Sequence, residues 1–277
     1  MPPTTYTTST TFRVGVLLAP PPVQLLDLAP VDLFYMLSKD YLNDIPILPQ
    51  PIKNLAIQNL EILYIAAKDD HSLSISQTND NNPVLLAPTT ANAKINITAD
   101  ILSPKVQPGQ LSVLVIPGPD PASTPSEAYK TFIKAHASSG KTDIITICTG
   151  IYPACYSGIC DGQVVTGPRG LQADLRAKFK NVKQFEDLRW SRDVLVGSAE
   201  KEEERPAELW TSAGITNGHD CVAAYIKAHF DRELAEVVCR MADVGQRMQE
   251  YENGPVTEGV WWMSRVLRAA IKGVWKL

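Results

Sequence analysis

Short apolar runs rich in β-branched residues recur along this chain, and each is followed by a turn and then by residues at helical spacing. FRVGVLLA, from Phe12, is broken by PPPVQ before LLDLAPVDLFYMLS takes over with a helical pattern. LEILYIAA (Leu60 to Ala67), LSVLVIPG (Leu111 to Gly118) and KTDIITIC (Lys141 to Cys148) read as further buried strands, with the polar QTNDNNP stretch an exposed loop. PSEAYKTFIKAHASSG predicts a helix with a Ser/Pro start and a Gly stop. IYPACYSGI opens another, with Pro153 in the first turn, where its missing N–H costs little. Strands alternating with helices predict an α/β sandwich around a mainly parallel sheet.

The second half continues less regularly. Short β segments are expected around GQVVTG, KQFEDLRW and RDVLVG, then a solvated charge run, SAEKEEERPAE. LWTSAGITNGHD brings a short strand and turn, followed by helices over HDCVAAYIKAHF and RELAEVVCRMADVGQRMQEY. From Gly259 the character changes. On a helix Met263, Val266, Leu267, Ala270, Ile271 and Val274 share one face and Arg265, Arg268, Lys272 and Lys276 the other, with Trp261, Trp262 and Trp275 near the borders. Such a helix either meets a membrane surface or a partner, or packs on its own domain or across a dimer. The expected organisation is a disordered leader over 1–11, one domain over 12–251 and an amphipathic C-terminal helix over 252–277.

Composition narrows the class. A chain of 277 residues with 44% hydrophobic content can bury a substantial core. A formal net charge of −4 gives no global basic footprint for nucleic acid, so a small-molecule partner is the expectation. Five cysteines, odd in number and without paired CxxC spacing, read as reduced thiols with no metal site and no cofactor. The Thr/Pro-rich start lacks the basic and apolar regions of a signal peptide, and no apolar run approaches the roughly 18 residues that span a bilayer. A cytoplasmic protein is expected.

TDIITICTGIYPACYSG places a thiol where a strand meets a helix. In parallel α/β sheets ligands gather at the carboxyl ends of strands. There a helix N-terminus favours the thiolate of Cys148, and the same N–H groups can hold an oxyanion.

VLVIPGPD, ITICTGIYPACYSGICDGQVVTG and LWTSAGITNGHD, in that order, resemble the three signature blocks of the ThiJ/PfpI family, within the class I glutamine amidotransferase-like superfamily. The resemblance runs from about Phe12 to about Tyr251. The CTG block, with LDL in the first helical segment, is most similar to the isonitrile hydratase branch, and the style of the sequence resembles fungal members.

The resemblance implies a flavodoxin-like three-layer sandwich, usually dimeric, with Cys148 as nucleophile on a strained elbow. It implies Asp27 as the carboxyl partner, although an aspartate at a helix start can also be an N-cap, and Asp32, five residues on, is a rival because the spacing from Asp27 to Pro30 is one residue short of the family pattern. Thr149 and Gly118 would supply oxyanion N–H groups, with Gly150 completing the block, and Thr211, Ser212 and Gly214 match a block beside the site. Two positions depart from the pattern: Pro119 replaces a glycine and removes one donor, and Pro168 stands where many relatives carry a histidine. Of the four histidines, His71 and His136 are expected in a loop and an outer helix, His229 far along a helix, and His219 alone near the site. Arg169 is either an anion-binding guanidinium or a surface ion pair.

Three activities are therefore compatible with the sequence. Cys148 and Asp27 serve a cofactor-independent hydratase acting on an isonitrile or a 2-oxoaldehyde; or Cys148 is an oxidisable sensor in a non-enzymatic stress protein; or the chain is an amidase-like or peptidase-like hydrolase, which the missing histidine disfavours.

Overall fold

The computed structural model describes residues 11–77, 83–195 and 205–274. The first strand, β1 (Phe12–Leu17), leads through a segment of tight turns to β2 (Leu60–Ala66). Between them LLDLAPVDLFYMLS does not form one helix: two 3-10 turns, Leu25–Asp27 and Ala29–Val31, precede the single α turn α1 (Asp32–Tyr35). Pro30 lacks the N–H that a continuous helix needs. Two more short helices, α2 (Lys39–Asn43) and α3 (Gln50–Lys53), complete this segment.

After β2 comes a small antiparallel sheet, β3 (Ser74–Gln77), β4 (Pro83–Pro88) and β5 (Lys94–Asn96), which the sequence pattern did not announce. Most of the QTNDNNP loop, 78–82, lies outside the described residues. The chain then returns through β6 (Ala99–Asp100), β7 (Val113–Ile116), α4 (Glu127–Ser138), β8 (Asp143–Thr146) and α5 (Ile151–Tyr156). Next come β9 (Val164–Thr166), α6 (Gln172–Lys178), β10 (Gln184–Glu186), β11 (Trp190–Val194) and β12 (Glu208–Ser212). Three helices close the chain: α7 (Asn217–His229), α8 (Arg232–Met241) and α9 (Pro255–Val274). The expected helix from Arg232 to Tyr251 thus ends at Met241, and the C-terminal helix starts four residues before Gly259, with Pro255 at its first turn. The leader up to Thr10 and the charge run over 196–204 lie outside the described residues.

Seven strands form one sheet in the order β11-β12-β8-β7-β1-β2-β6, all parallel except β11, which pairs antiparallel with β12. This is the flavodoxin-like α/β sandwich. Residues alternate between the two faces along each strand. Phe12, Val14, Val16, Val113, Val115 and Ile145 pack with Phe34, Tyr225 and Ile226 of α1 and α7, while Leu17, Leu114, Ile116 and Ile144 pack with Tyr129, Ile133 and Tyr152 of α4 and α5. Burial on both faces explains why these strands read as unbroken apolar runs.

The amino ends of β8 and β12 hold a buried polar cluster. Asp143 accepts from Arg205, from the Tyr225 hydroxyl at 2.7 Å and from the Glu208 N–H at 2.9 Å. Glu208 accepts from His229 Nε2 at 2.9 Å, from Trp210 Nε1 at 2.8 Å and from Arg192. Burial alone would raise the Glu208 carboxyl, but the hydrogen bonds from His229, Arg192 and Trp210 outweigh it and hold the group down at about 2. A lowered folded value means that stability is fully present above the ordinary glutamate range and is lost as pH falls toward 2. Glu208→Gln is therefore expected to lose about 2–4 kcal/mol at neutral pH, with the difference from wild type shrinking below about pH 4. Urea denaturation across that pH range measures it.

Candidate functional site

Three chain segments converge at the carboxyl edge of the sheet. Ile147 and Cys148 leave β8, Pro117 and Gly118 leave β7, and the turns after β1 fold back over both. Gln24 donates from its backbone to the Gly118 carbonyl at 2.9 Å, and Val23 bridges to Pro119 on one side and Thr89 on the other. This brings Asp27, the last residue of its 3-10 turn, against the end of β7.

Cys148 has φ of +55°. Among the described residues the other positive-φ residues that are not glycine are Asn92 and Asp243, types that tolerate this region far better. A cysteine there carries strain of order 1–3 kcal/mol, which is characteristic of a functional elbow. Two glycines make the bend possible. A Cβ on Gly150 would overlap the Ile116 carbonyl, and one on Gly118 would collide with Thr149 Oγ1 and lie 2.5 Å from Asp27 Oδ2. Gly150 thus acts through close packing, since its N–H is taken up by Ile147.

The Asp27 carboxyl is fully buried, with Oδ2 accepting from the Gly118 N–H at 3.0 Å and Oδ1 making no hydrogen bond. Burial pushes its pKa up to about 7, against the lowering effect of the Gly118 bond. The Cys148 thiol does not behave as the elbow position led us to expect. Burial first, and the charge of Asp27 second, push it up to about 12, with Thr149 opposing through its backbone N–H and hydroxyl. That hydroxyl also donates to the Pro119 carbonyl at 2.6 Å, so of the two Thr149 donors the N–H is the one not shared with that carbonyl. Gly118, expected as a second donor, has its N–H taken up by Asp27. At neutral pH the site therefore holds a protonated sulfur beside a carboxyl poised between its two forms.

Comparison with solved structures places the fold. DJ-1beta of Drosophila melanogaster superposes with a TM-score of 0.57 at 13% identity, over 85% of this chain and 99% of that one. A ThiJ/PfpI family protein of Pseudomonas syringae gives 0.52 at 16% identity, over 88% and 79%. An AraC family transcriptional regulator of Pseudomonas putida gives 0.58 at 10% identity, over 83% and 99%. The chain has the fold of DJ-1 and ThiJ/PfpI proteins. No sequence-family model matches it, and no curated protein sequence does.

Of the other expected site residues, Asp32 is exposed at the start of α1, so Asp27 is the carboxyl brought to the cysteine. His219 is half-buried in the first turn of α7, with burial lowering its pKa, and no hydrogen bond joins it to Cys148 among the described residues. His136 is fully buried in α4 between Thr142 and the Val106 carbonyl, inward rather than on an outer surface, and His229 belongs to the Glu208 cluster. Arg169 is engaged: it binds Asp187 through two nitrogens at 2.6 and 2.7 Å, donates to the Asn253 carbonyl and lies 4.0 Å over the Tyr251 ring. Tyr251, whose ring also has Arg189 4.7 Å from its centroid, lines a cleft of about 420 Å³ with Pro168 and Gly214, and no motif in the sequence pointed to it. Thr211 accepts from the Thr166 N–H at 2.8 Å and Ser212 donates to the Thr146 carbonyl, which fits a structural part for that block. Among the described residues no group of His, Cys, Asp and Glu could hold a metal ion.

A raised folded pKa on Asp27 means that folding disfavours its ionised form: the cost is absent below the ordinary carboxylate value and complete above about pH 7. Asp27→Asn should therefore match wild type in stability near pH 4 and exceed it by a few kcal/mol at pH 8. Chemical denaturation at the two pH values gives the comparison.

Proposed function

We propose that the protein is a cofactor-independent cysteine hydratase of the ThiJ/PfpI type, acting on a small electrophile such as an isonitrile or a 2-oxoaldehyde. The observation that carries the reading is the pairing of Cys148, strained on its elbow, with a buried carboxyl that keeps one oxygen unbonded and titrates near pH 7. A general base is most effective when its pKa lies near the working pH. With 7% of its surface exposed, Cys148 is open only to a small substrate.

On an isonitrile, the sulfur attacks the terminal carbon as Asp27 takes the thiol proton, and Asp27 then returns that proton to the same carbon to give a thioimidate. Water adds to this carbon, the C–S bond breaks, and the N-formamide leaves with the thiol restored. On a 2-oxoaldehyde, the sulfur adds to the aldehyde to give a hemithioacetal, and Asp27 carries the C1 hydrogen as a proton to C2 while the C1 hydroxyl proton passes to the C2 oxygen. Water then hydrolyses the resulting thioester to the 2-hydroxy acid and the free thiol. Anionic charge on the way is met by the Thr149 N–H.

An amidase or peptidase is less well supported, because Pro168 stands where the family histidine would be and no imidazole is hydrogen-bonded to the cysteine among the described residues. A redox sensor is the second reading, since a fold by itself does not fix a function. A thiol held at about 12 weighs against it, because the thiolate is the species that peroxide oxidises. We carry a homodimer in a cytoplasmic setting as part of the proposal, a setting that suits five buried, unpaired cysteines.

The purified chain is expected to turn over a member of an isonitrile and 2-oxoaldehyde panel, with kcat/KM rising through an apparent pKa near 7. Cys148→Ser should abolish turnover, and Asp27→Asn should lower it by about 10²-fold or more and flatten the pH profile. Turnover that survives Cys148→Ser sinks the proposal. So does selective peroxide oxidation of Cys148, read by mass spectrometry, in a protein that turns over nothing.

A further inference from the structure

The helix α9 is held to the domain almost entirely by its first turns. Glu258 pairs with Arg169 at 3.5 Å and accepts from the Trp262 indole at 3.0 Å. Beyond this the helix lies clear of the domain, and its apolar stripe faces solvent: Val256, Val260, Met263, Val266, Leu267 and Ile271 are 50 to 78% exposed. A stripe of that size is unusual on the surface of a protein working alone in water. An isolated helix of 20 residues also gains little stability from propensity and needs an apolar surface to lie against.

We infer that α9 lies in the headgroup region of an anionic bilayer and anchors the protein to that surface. Charge selects this occupant. From Pro255 onward the sequence holds four basic residues, Arg265, Arg268, Lys272 and Lys276, against the single acid Glu258, in a chain whose net charge is −4. Glu258 is engaged with Arg169, so the outward charge of the helix is positive. Trp261, over whose ring Arg265 lies at 5.0 Å, and Trp262 stand beside the stripe, where indole rings favour the boundary between water and acyl chains. A second copy packed on the stripe would bury the apolar residues but leave the concentration of basic ones unexplained. An anionic surface accounts for both. The helix lies on the membrane and does not cross it: among the described residues no helix is long and apolar enough to span a bilayer.

This inference rests on α9 alone and is independent of the chemistry at Cys148. The full chain is floated with vesicles of phosphatidylcholine alone and of phosphatidylcholine with about 30 mol % phosphatidylserine, at low salt and at about 0.5 M NaCl. The anionic vesicles are expected to carry at least about tenfold more protein, and high salt should erase most of the difference. Val266→Asp with Leu267→Asp should abolish binding, and Arg265→Glu with Arg268→Glu should remove the preference for anionic lipid; all four residues are exposed, so the domain folds as before. Equal binding to both vesicle types overturns the proposal. Binding untouched by the Val266/Leu267 pair overturns it as well, and so does an absence of flotation alongside self-association, seen by light scattering, that the same pair removes.

Discussion

The hydrogen bond from the Gly118 N–H to Asp27 Oδ2 joins residues 91 apart in sequence, and the arrangement of the site depends on it. It fixes the broken turns after β1 against the end of β7, and so decides where a carboxyl sits relative to the elbow. It needs a residue without a Cβ at Gly118, because Thr149 and Asp27 close on that point from two sides. It occupies one carboxylate oxygen and leaves the other unbonded, which is what the proposed proton transfer requires of Asp27. The same bond removes Gly118 as an oxyanion donor, so the geometry favours proton transfer over strong stabilisation of a tetrahedral oxyanion.

The two ends of the sheet treat buried charge in opposite ways. At the amino ends, Asp143 and Glu208 each accept several hydrogen bonds, and those to Glu208 hold its carboxyl well below the ordinary range. At the carboxyl edge, Asp27 has one bond and a free oxygen, and nothing of opposite charge is bonded to it among the described residues. Buried polar groups in folded proteins are nearly always satisfied, so an exception beside a strained cysteine carries information about function. The saturated end holds β8 and β12 in place, and the unsaturated end can then afford strain at Cys148.

Much of this was legible in the sequence because the strands are buried on both faces and the helices punctuated by Pro and Gly. KTDIITIC ending at a CTG bend marked the elbow because that signal is local, whereas Asp27 in LLDLAP came from the family resemblance, with Asp32 left as a rival. What was not legible depends on contacts distant along the chain. Nothing in the residues around Gly118 says that its N–H is claimed by Asp27, and Arg169 reads as available until Asp187, Asn253 and Tyr251 are brought around it. The small sheet β3-β4-β5 has ordinary exposed composition, with alternation too short to stand out from loop. The helix expected to run to Tyr251 stops at Met241, because Asp243 and Gly245 just beyond it take positive φ and turn the chain out of the helix.

The ionisation of Cys148 turns on which of two effects is larger. The helix dipole at an N-terminus contributes roughly 0.3–1 kcal/mol, less than one pKa unit, and here the elbow opens into a 3-10 turn and only six residues of α helix. Burial of a charge can shift a pKa by as much as 3–5 units, and a carboxylate beside the sulfur works in the same direction. Burial wins, and the thiol stays protonated. In the proposed reaction a sulfur of this kind cannot wait as a free thiolate; it would become one only when a base takes its proton as the substrate arrives. Asp27, raised by the same burial to about 7, is matched to that task, since an aspartate at its ordinary value would be too weak a base. The low dielectric that silences the sulfur is thus also what makes its partner competent, and the two shifts form a single device.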